Sequence, residues 1–260
     1  MDLNKRTAVI TGGGGYLGYT FAETLLELGA DIILVDIDKE KLDSAKKRLE
    51  KNKDQNVECF ICDISSNKAI QDMCAQIKEK YSCLDIIINN AAYVGTTDIK
   101  GWAVPFENQS SECWPDAIQV NLTSTFEITQ SLTPLMKNSN HACVINVASI
   151  YGMTGPDMSL YEDTKMGNPA AYAASKGGLI QLTKWLATNL APDIRVNSIS
   201  PGGILRGQDE SFVKRYNNKT PLGRMATEED FKGIIAYLAS DMSAYVTGQN
   251  FVIDGGWTSW

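Results

Sequence analysis

Seven short runs rich in Ile and Val punctuate the chain, at Thr7 to Ile10, Asp31 to Val35, Val57 to Ile61, Leu84 to Ile88, Ala142 to Val147, Ile194 to Ile199 and Asn250 to Ile253. Most are continuously apolar rather than alternating, the pattern of strands covered on both faces. Between them, apolar residues recur at helical spacing over Tyr16 to Leu28, Lys39 to Glu50, Asn67 to Tyr81, Cys113 to Leu135, Ala171 to Leu190 and Thr227 to Ala239. Strand then helix, repeated without a linker, predicts one α/β domain over residues 1–260: a doubly wound, parallel, seven-stranded sheet with helices on both faces. Ligands of such sheets sit outside the carboxyl ends of the strands, so chemistry is sought in the loops that follow them.

Composition narrows the choice. At 43% hydrophobic and 21% charged, the 260 residues are those of an ordinary globular protein. A net charge of −7 argues against a nucleic-acid or anionic-membrane partner, which needs a basic footprint. Met1 to Arg6 runs into the first strand without an apolar signal core, and no stretch is apolar enough to span a bilayer, so a cytoplasmic protein is expected. Six cysteines are scattered through predicted elements and are expected to be reduced. Cys59 and Cys62 have a metal-like spacing but lie at a strand, with no second pair or nearby His, so core packing is expected and no metal. His141 is the only histidine and sits in a polar turn, which disfavours a Ser-His-Asp hydrolase.

The first strand is followed by Thr11-Gly12-Gly13-Gly14-Gly15-Tyr16-Leu17-Gly18, opening a helix. Glycines there permit a tight turn and let backbone N–H groups approach a pyrophosphate at the helix N-terminus. Asp36 ends the second strand 36 − 12 = 24 residues beyond Gly12 and is followed by Ile37. A carboxylate at that place accepts hydrogen bonds from an adenosine ribose and repels a 2′-phosphate, favouring NAD over NADP. The alternative makes Asp36 the N-cap of the next helix.

Tyr172 and Lys176 stand four residues apart on a predicted helix, hence on one face. A phenol titrates near pH 10, and an adjacent ammonium lowers that value by favouring phenolate. Tyr161 and Lys165 repeat the spacing. Tyr161 lies 161 − 149 = 12 residues from Ser149 and Tyr172 lies 172 − 149 = 23, but Tyr161 is bracketed by Gly155-Pro156 and Gly167-Asn168-Pro169, which break helices. Tyr172 opens a well-patterned helix and is the expected catalytic tyrosine.

With these motifs in order, the chain resembles the short-chain dehydrogenase/reductase family from Thr7 to about Trp257. The resemblance rests on Thr11-Gly12 with Gly15 and Gly18, Cys62-Asp63-Ile64, Asn89-Asn90-Ala91-Ala92, Asn121, Ser149, Tyr172 with Lys176, Arg195-Val196-Asn197 leading to Pro201-Gly202-Gly203, and Asp254-Gly255-Gly256. It implies a Rossmann fold and an oxidoreductase in which Tyr172 moves the proton and Ser149 holds the substrate oxygen. Lys176 would depress the pKa of Tyr172 and bind the nicotinamide ribose, and Asn121 would hold a water linking Lys176 to solvent. Gly12, Gly15, Tyr16, Leu17, Gly18, Asp36, Ile37, Asp63, Ile64, Asn90, Ala91, Ala92, Tyr172, Lys176, Pro201, Gly202 and Ile204 would line the cofactor. Family members are often tetramers, so a homotetramer or homodimer is expected.

Several departures bear on substrate. Tyr16 replaces a usual glycine, and the glycine spacing is that of a longer sugar-nucleotide branch, which keeps a nucleotide-sugar epimerase or dehydratase with tightly held NAD as an alternative. A dinucleotide-sensing protein without catalysis is another. Ala92 also stands where a glycine is usual. The loops at 94–112 and 151–169 are long for the family, and 203–220 has the place of its mobile lid. Their polar content suggests a hydroxylated, sugar-derived substrate met by Ser149, Tyr151, Tyr161 and Arg206. Lys214 and Arg215 are further candidate anion partners; the alternative is a solvated helix face. Ser149-Ile150-Tyr151-Gly152, Tyr161-Glu162 and Ala171-Tyr172-Ala173 also look like bacterial oxidoreductases associated with flagellin and surface-glycan modification.

Overall fold

The computed structural model describes residues 1–50, 55–94 and 99–260. Seven strands, β1 (Thr7–Thr11), β2 (Asp31–Asp36), β3 (Val57–Ile61), β4 (Ile86–Asn89), β5 (Cys143–Val147), β6 (Arg195–Pro201) and β7 (Asn250–Ile253), form one sheet in the order β3-β2-β1-β4-β5-β6-β7. Every neighbouring pair is parallel. The helices are α1 (Tyr16–Glu27), α2 (Lys39–Leu49), α3 (Asn67–Lys80), α4 (Trp114–Ile118), α5 (Ser124–Met136), α6 (Ala170–Leu190), α7 (Glu210–Lys219) and α8 (Lys232–Ala239).

Strand alternation sorts the apolar residues into two buried layers. Ile10, Ile32, Leu34, Ile88 and Ile145 pack with Phe21 and Leu25 of α1, Leu42 of α2 and Ile235 of α8. Val9, Ile33, Ile87, Val144 and Val196 pack on the other side with Ile70 and Met73 of α3, Ile128 and Leu132 of α5 and Leu186 of α6. Burial on both faces explains why the strands read as unbroken apolar runs.

Three expected elements differ. The single helix expected from Cys113 to Leu135 is α4, then a turn of π-helix over Gln119–Thr123, then α5. The helix expected from Thr227 begins as a 3-10 turn, Glu228–Phe231, where Thr227 and Asp230 satisfy each other's backbone N–H groups, and becomes α8 at Lys232. The lid segment contains α7, which its charge content obscured: Phe212 and Tyr216 turn inward and Lys214 stays exposed. Residues 95–98 of the 94–112 loop lie outside the described residues.

The strand order reverses direction between β1 and β4. The chain winds outward from β1 through β2 to β3 and returns to start β4 on β1's other side, so the loops after β1 and β4 diverge and leave a crevice. Gly18 fixes how closely α1 approaches the β1 loop. A Cβ there would lie 2.1 Å from the Gly12 carbonyl oxygen and 2.8 Å from its carbonyl carbon, both backbone atoms. Gly18→Ala is therefore expected to lower stability by about 1–3 kcal/mol, as overpacking does. Urea unfolding followed by circular dichroism checks this; an unchanged midpoint would show that the loop yields without cost.

Candidate active site

The cofactor half of the site is built from glycine turns and one clasp. Gly12 adopts φ +64°, a conformation that glycine takes without Cβ strain, and a Cβ on it would sit 2.9 Å from the Ala91 Cα. The Thr11 hydroxyl accepts the N–H groups of Asn90 (3.0 Å) and Ala91 (3.1 Å), and the Asn90 side-chain amide donates to the Thr11 carbonyl (3.0 Å) and the Gly12 carbonyl (3.2 Å). These four bonds tie the two loops that border the crevice. Gly15 caps α1 without a side-chain acceptor, and no acidic residue lies in the helix's first turn. The positive end of α1 is thus left for an anion, so the residues present fit a dinucleotide diphosphate.

Asp36 ends β2, and its carboxylate accepts the N–H of Gly14 at 3.0 Å and that of Asp38 at 3.1 Å. The N-cap of α2 is Asp38, whose side chain accepts from the Lys41 N–H at 3.1 Å. The capping alternative for Asp36 therefore fails, and its carboxylate stays beside the glycine loop. Ile37 is exposed next to it. Asp63 follows β3 and accepts from the N–H and hydroxyl of Ser65, while Ile64 turns into the core. Beyond β6, Gly202 donates to Ile253, and Ile204 forms a bridge to Ala226.

The reaction half is organised by α6. Tyr172 lies in its first turn, after Pro169, and Lys176 one turn on. Gly152 presses on this helix so closely that a Cβ would sit 2.7 Å from the Lys176 carbonyl carbon, which brings the end of β5 and Ser149 to the tyrosine. The Ser149 hydroxyl lies near enough to the Tyr172 phenol to lower its pKa, but burial raises it more. Lys176 lies 5.8 Å from the centre of the Tyr172 ring and donates to the Val147 carbonyl at 2.7 Å. Burial pulls its amine down to about 7. The expected depression of Tyr172 by Lys176 is thus not the balance found: the amine is directed to β5 and its own charge is disfavoured.

Asn121 sits in the π-turn and is 1% exposed. Its side-chain oxygen accepts the Tyr93 N–H at 2.6 Å; its amide donates to the Ser175 hydroxyl at 2.9 Å and the Tyr93 carbonyl at 3.3 Å. The side chain joins the β4 loop to α6. A π-turn makes that possible by rotating one residue out of register with the flanking helices.

The long second loop brings Tyr151 and Tyr161 together, their hydroxyls 3.0 Å apart. The Tyr151 N–H donates to Ser149 at 3.2 Å, and the Tyr161 phenol is close enough to raise the pKa of Tyr172 electrostatically. Around them stand Phe212, Tyr216 and Trp257: Tyr161 to Phe212 is 5.4 Å, Tyr216 to Trp257 6.0 Å and Tyr151 to Trp257 6.2 Å between ring centres. Burial pushes the Tyr216 phenol up to about 12, and its hydroxyl accepts the Gly203 N–H at 2.6 Å. On the other flank Trp102, from the first loop, packs with Tyr93, Ala171 and Tyr172.

The lid cations are placed otherwise than expected. Arg215 donates to the carbonyls of Leu160 (3.1 Å) and Glu162 (2.5 Å), clamping the backbone on both sides of Tyr161 to α7. Arg206 pairs with Glu228 at 2.9 Å and lies over the ring of Tyr16, 5.0 Å from its centre, on the cofactor-loop side. Sequence reasoning missed the aromatic wall of Phe212, Tyr216, Trp257 and Trp102; the helical spacing of Phe212 and Tyr216 was the available signal. His141 pairs with Asp241, and among the described residues no group of three or more His, Cys, Asp or Glu side chains could hold a metal.

Comparison with known proteins fits this geometry. A family model described as "Enoyl-(Acyl carrier protein) reductase" matches residues 16–258. The 3-oxoacyl-[acyl-carrier-protein] reductase FabG of Thermotoga maritima is 33% identical, covering 98% of this chain and 99% of its own. Post-translational flagellin modification protein A of Campylobacter coli is 30% identical, covering 98% and 99%. The crystal structure of a short-chain dehydrogenase from Leptospira borgpetersenii with bound NAD+ is 35% identical and superposes with a TM-score of 0.85, over 99% of this chain and 94% of that one. The Rossmann sheet, the glycine loop and the Ser149, Tyr172 and Lys176 set accompany these matches, and the chain belongs to the short-chain dehydrogenase/reductase family of oxidoreductases acting on CH–OH groups.

Proposed function

We propose that the protein is an NAD-dependent enzyme that interconverts a secondary alcohol and a ketone on a polar, sugar-derived substrate. The observation carrying this reading is the convergence of Ser149, Tyr172 and Lys176 next to a crevice with an uncapped α1 terminus. A nicotinamide bound there supplies the hydride acceptor or donor. Tyr172 takes the hydroxyl proton during oxidation and returns it during reduction, and Ser149 donates to the substrate oxygen. Lys176 holds the cofactor ribose and, in its charged form, favours the phenolate of Tyr172. Asn121 has its side chain committed to Tyr93 and Ser175, so any water relay from Lys176 uses its main chain.

Gly12, Gly15, Tyr16, Leu17 and Gly18 receive the diphosphate; Asp36 and Ile37 the adenosine ribose; Asp63, Ile64, Asn90, Ala91 and Ala92 the adenosine side; Pro201, Gly202 and Ile204 the nicotinamide side. The Asp36 carboxylate and the NAD+ bound by the Leptospira relative support NAD over NADP. The loops at 94–112, 151–169 and 203–220 frame the substrate. Among them the Tyr151 and Tyr161 phenols offer hydrogen bonds, while the aromatic rings suit the C–H face of a sugar. The similarity to a flagellin modification protein supports a role near glycan chemistry.

We also propose a homotetramer or homodimer in the cytoplasm. Trp185 on α6 and Trp114 on α4 are 52% and 40% exposed, and Trp260 is 82% exposed, large apolar side chains that neighbouring copies would cover.

Four measurements test this. With NAD and a panel of sugars, sugar phosphates and nucleotide sugars, NADH should form with a two-hydrogen mass loss. Tyr172→Phe should lower kcat by at least roughly 10²-fold, the scale of general acid–base catalysis, and leave NADH affinity nearly unchanged. A mass-neutral conversion would favour the epimerase reading, and tight binding without turnover the sensor reading. Asp36→Ala should raise the NADP-to-NAD ratio of kcat/KM by about tenfold, some 1.4 kcal/mol; an unmoved ratio would place discrimination elsewhere. Sedimentation at micromolar concentration should show a dimer or tetramer, and a monomer would remove the assembly.

A further inference from the structure

The contact between Arg206 and Tyr16 crosses the site. Tyr16 is the first residue of α1, and Arg206 follows β6, which stands three places from β1 in the sheet. Parallel neighbours are about 4.8 Å apart, so the two strands are separated by roughly 14 Å. Arg206 leaves the sheet three strands away from β1, yet its guanidinium lies 5.0 Å from the Tyr16 ring centre and so ends beside the helix terminus that fits a diphosphate.

The stem of this arm is held by backbone bonds, its tip by one ion pair and one ring contact. Leu205 donates to the Ala226 carbonyl and Ala226 to the Gly203 carbonyl, each at 2.9 Å, and the Arg206 N–H donates to the Gln208 side chain at 2.7 Å. Gly207 at φ +76° completes the turn. The Arg206 side chain, by contrast, is 36% exposed, and its ion-pair partner is the single carboxylate of Glu228. The neighbouring cations are committed: Arg224 to both oxygens of Asp230, Lys232 to Glu23 and Glu229. Tyr16 is 71% exposed, a large ring with no buried packing to justify it and with the guanidinium on its face.

We infer that Arg206, resting on Tyr16 and parked on Glu228, is a clamp that closes on the diphosphate of the bound dinucleotide. The inference rests on the dinucleotide reading above and adds to it a residue role: the guanidinium exchanges one carboxylate for phosphate oxygens, which it binds in a two-pronged geometry. Tyr16, in place of a small residue, is the platform that keeps the guanidinium above the helix terminus. Arg206 thus belongs to the cofactor rather than to the substrate.

The test is equilibrium binding of NADH to the full chain, by cofactor fluorescence and by calorimetry, without turnover. Arg206→Met should raise Kd about tenfold in low salt, and the gap should narrow at high salt because the lost contact is ionic. Tyr16→Leu should raise Kd severalfold. Glu228→Gln should lower it, since the competing carboxylate is gone; a merely structural pair would give no gain. Matching thermal unfolding of the variants excludes a folding defect. An Arg206→Met Kd within twofold of the unmodified protein, or no gain in binding by Glu228→Gln, overturns the clamp alone. Absence of NADH binding by the unmodified protein overturns the dinucleotide reading and the clamp with it.

Discussion

The clasp between Thr11 and Asn90 is the constraint on which the rest of the carboxyl edge depends. Parallel strands that wind away in opposite directions leave their following loops with no ladder to hold them, and main-chain groups there must find partners individually. One hydroxyl accepting two N–H groups, and one amide donating to two carbonyls, meet that requirement across the reversal between β1 and β4. The geometry keeps Gly12 against Ala91 with no room for a side chain. The clasp therefore fixes the floor of the crevice between the β1 and β4 loops.

The second half of the edge is arranged around a buried amine. Lys176 is 2% exposed and accounts for its burial with a hydrogen bond to Val147 and a strongly lowered pKa. Tyr172 is pushed the other way by the same burial. Desolvation disfavours the charge on both groups. Ser149 acts in the opposite sense on Tyr172, lowering its pKa by less than burial raises it.

Most of the sheet was legible because burial on both faces writes itself into sequence as continuous Ile and Val. The glycine loop, Asp36, Ser149, Tyr172 and Lys176 were legible for a related reason: local backbone demands and one helical turn set their spacing. What was not legible depends on contacts between distant segments. The π-turn at Gln119–Thr123 exists to place Asn121 between Tyr93 and Ser175, which are 28 and 54 residues away. Arg215 looked like an anion partner because its acceptors are two carbonyls some fifty residues upstream, and backbone carbonyls have no signature in sequence. The helix α7 hid behind its charges, since only two of its residues are buried.

Those long-range contacts bear directly on how substrate would be held. Tyr161 stands in a short 3-10 segment with little intrinsic rigidity, yet the flanking carbonyls of Leu160 and Glu162 are fixed to Arg215, and its ring packs on Phe212 of the same helix. Phe212 is close to Tyr216, whose hydroxyl receives the N–H of Gly203 behind β6. A displacement of α7 therefore carries the Tyr161 phenol with it and strains the turn that leads to Arg206. The α7 segment, Tyr161 and the turn leading to Arg206 are therefore parts of one packed unit.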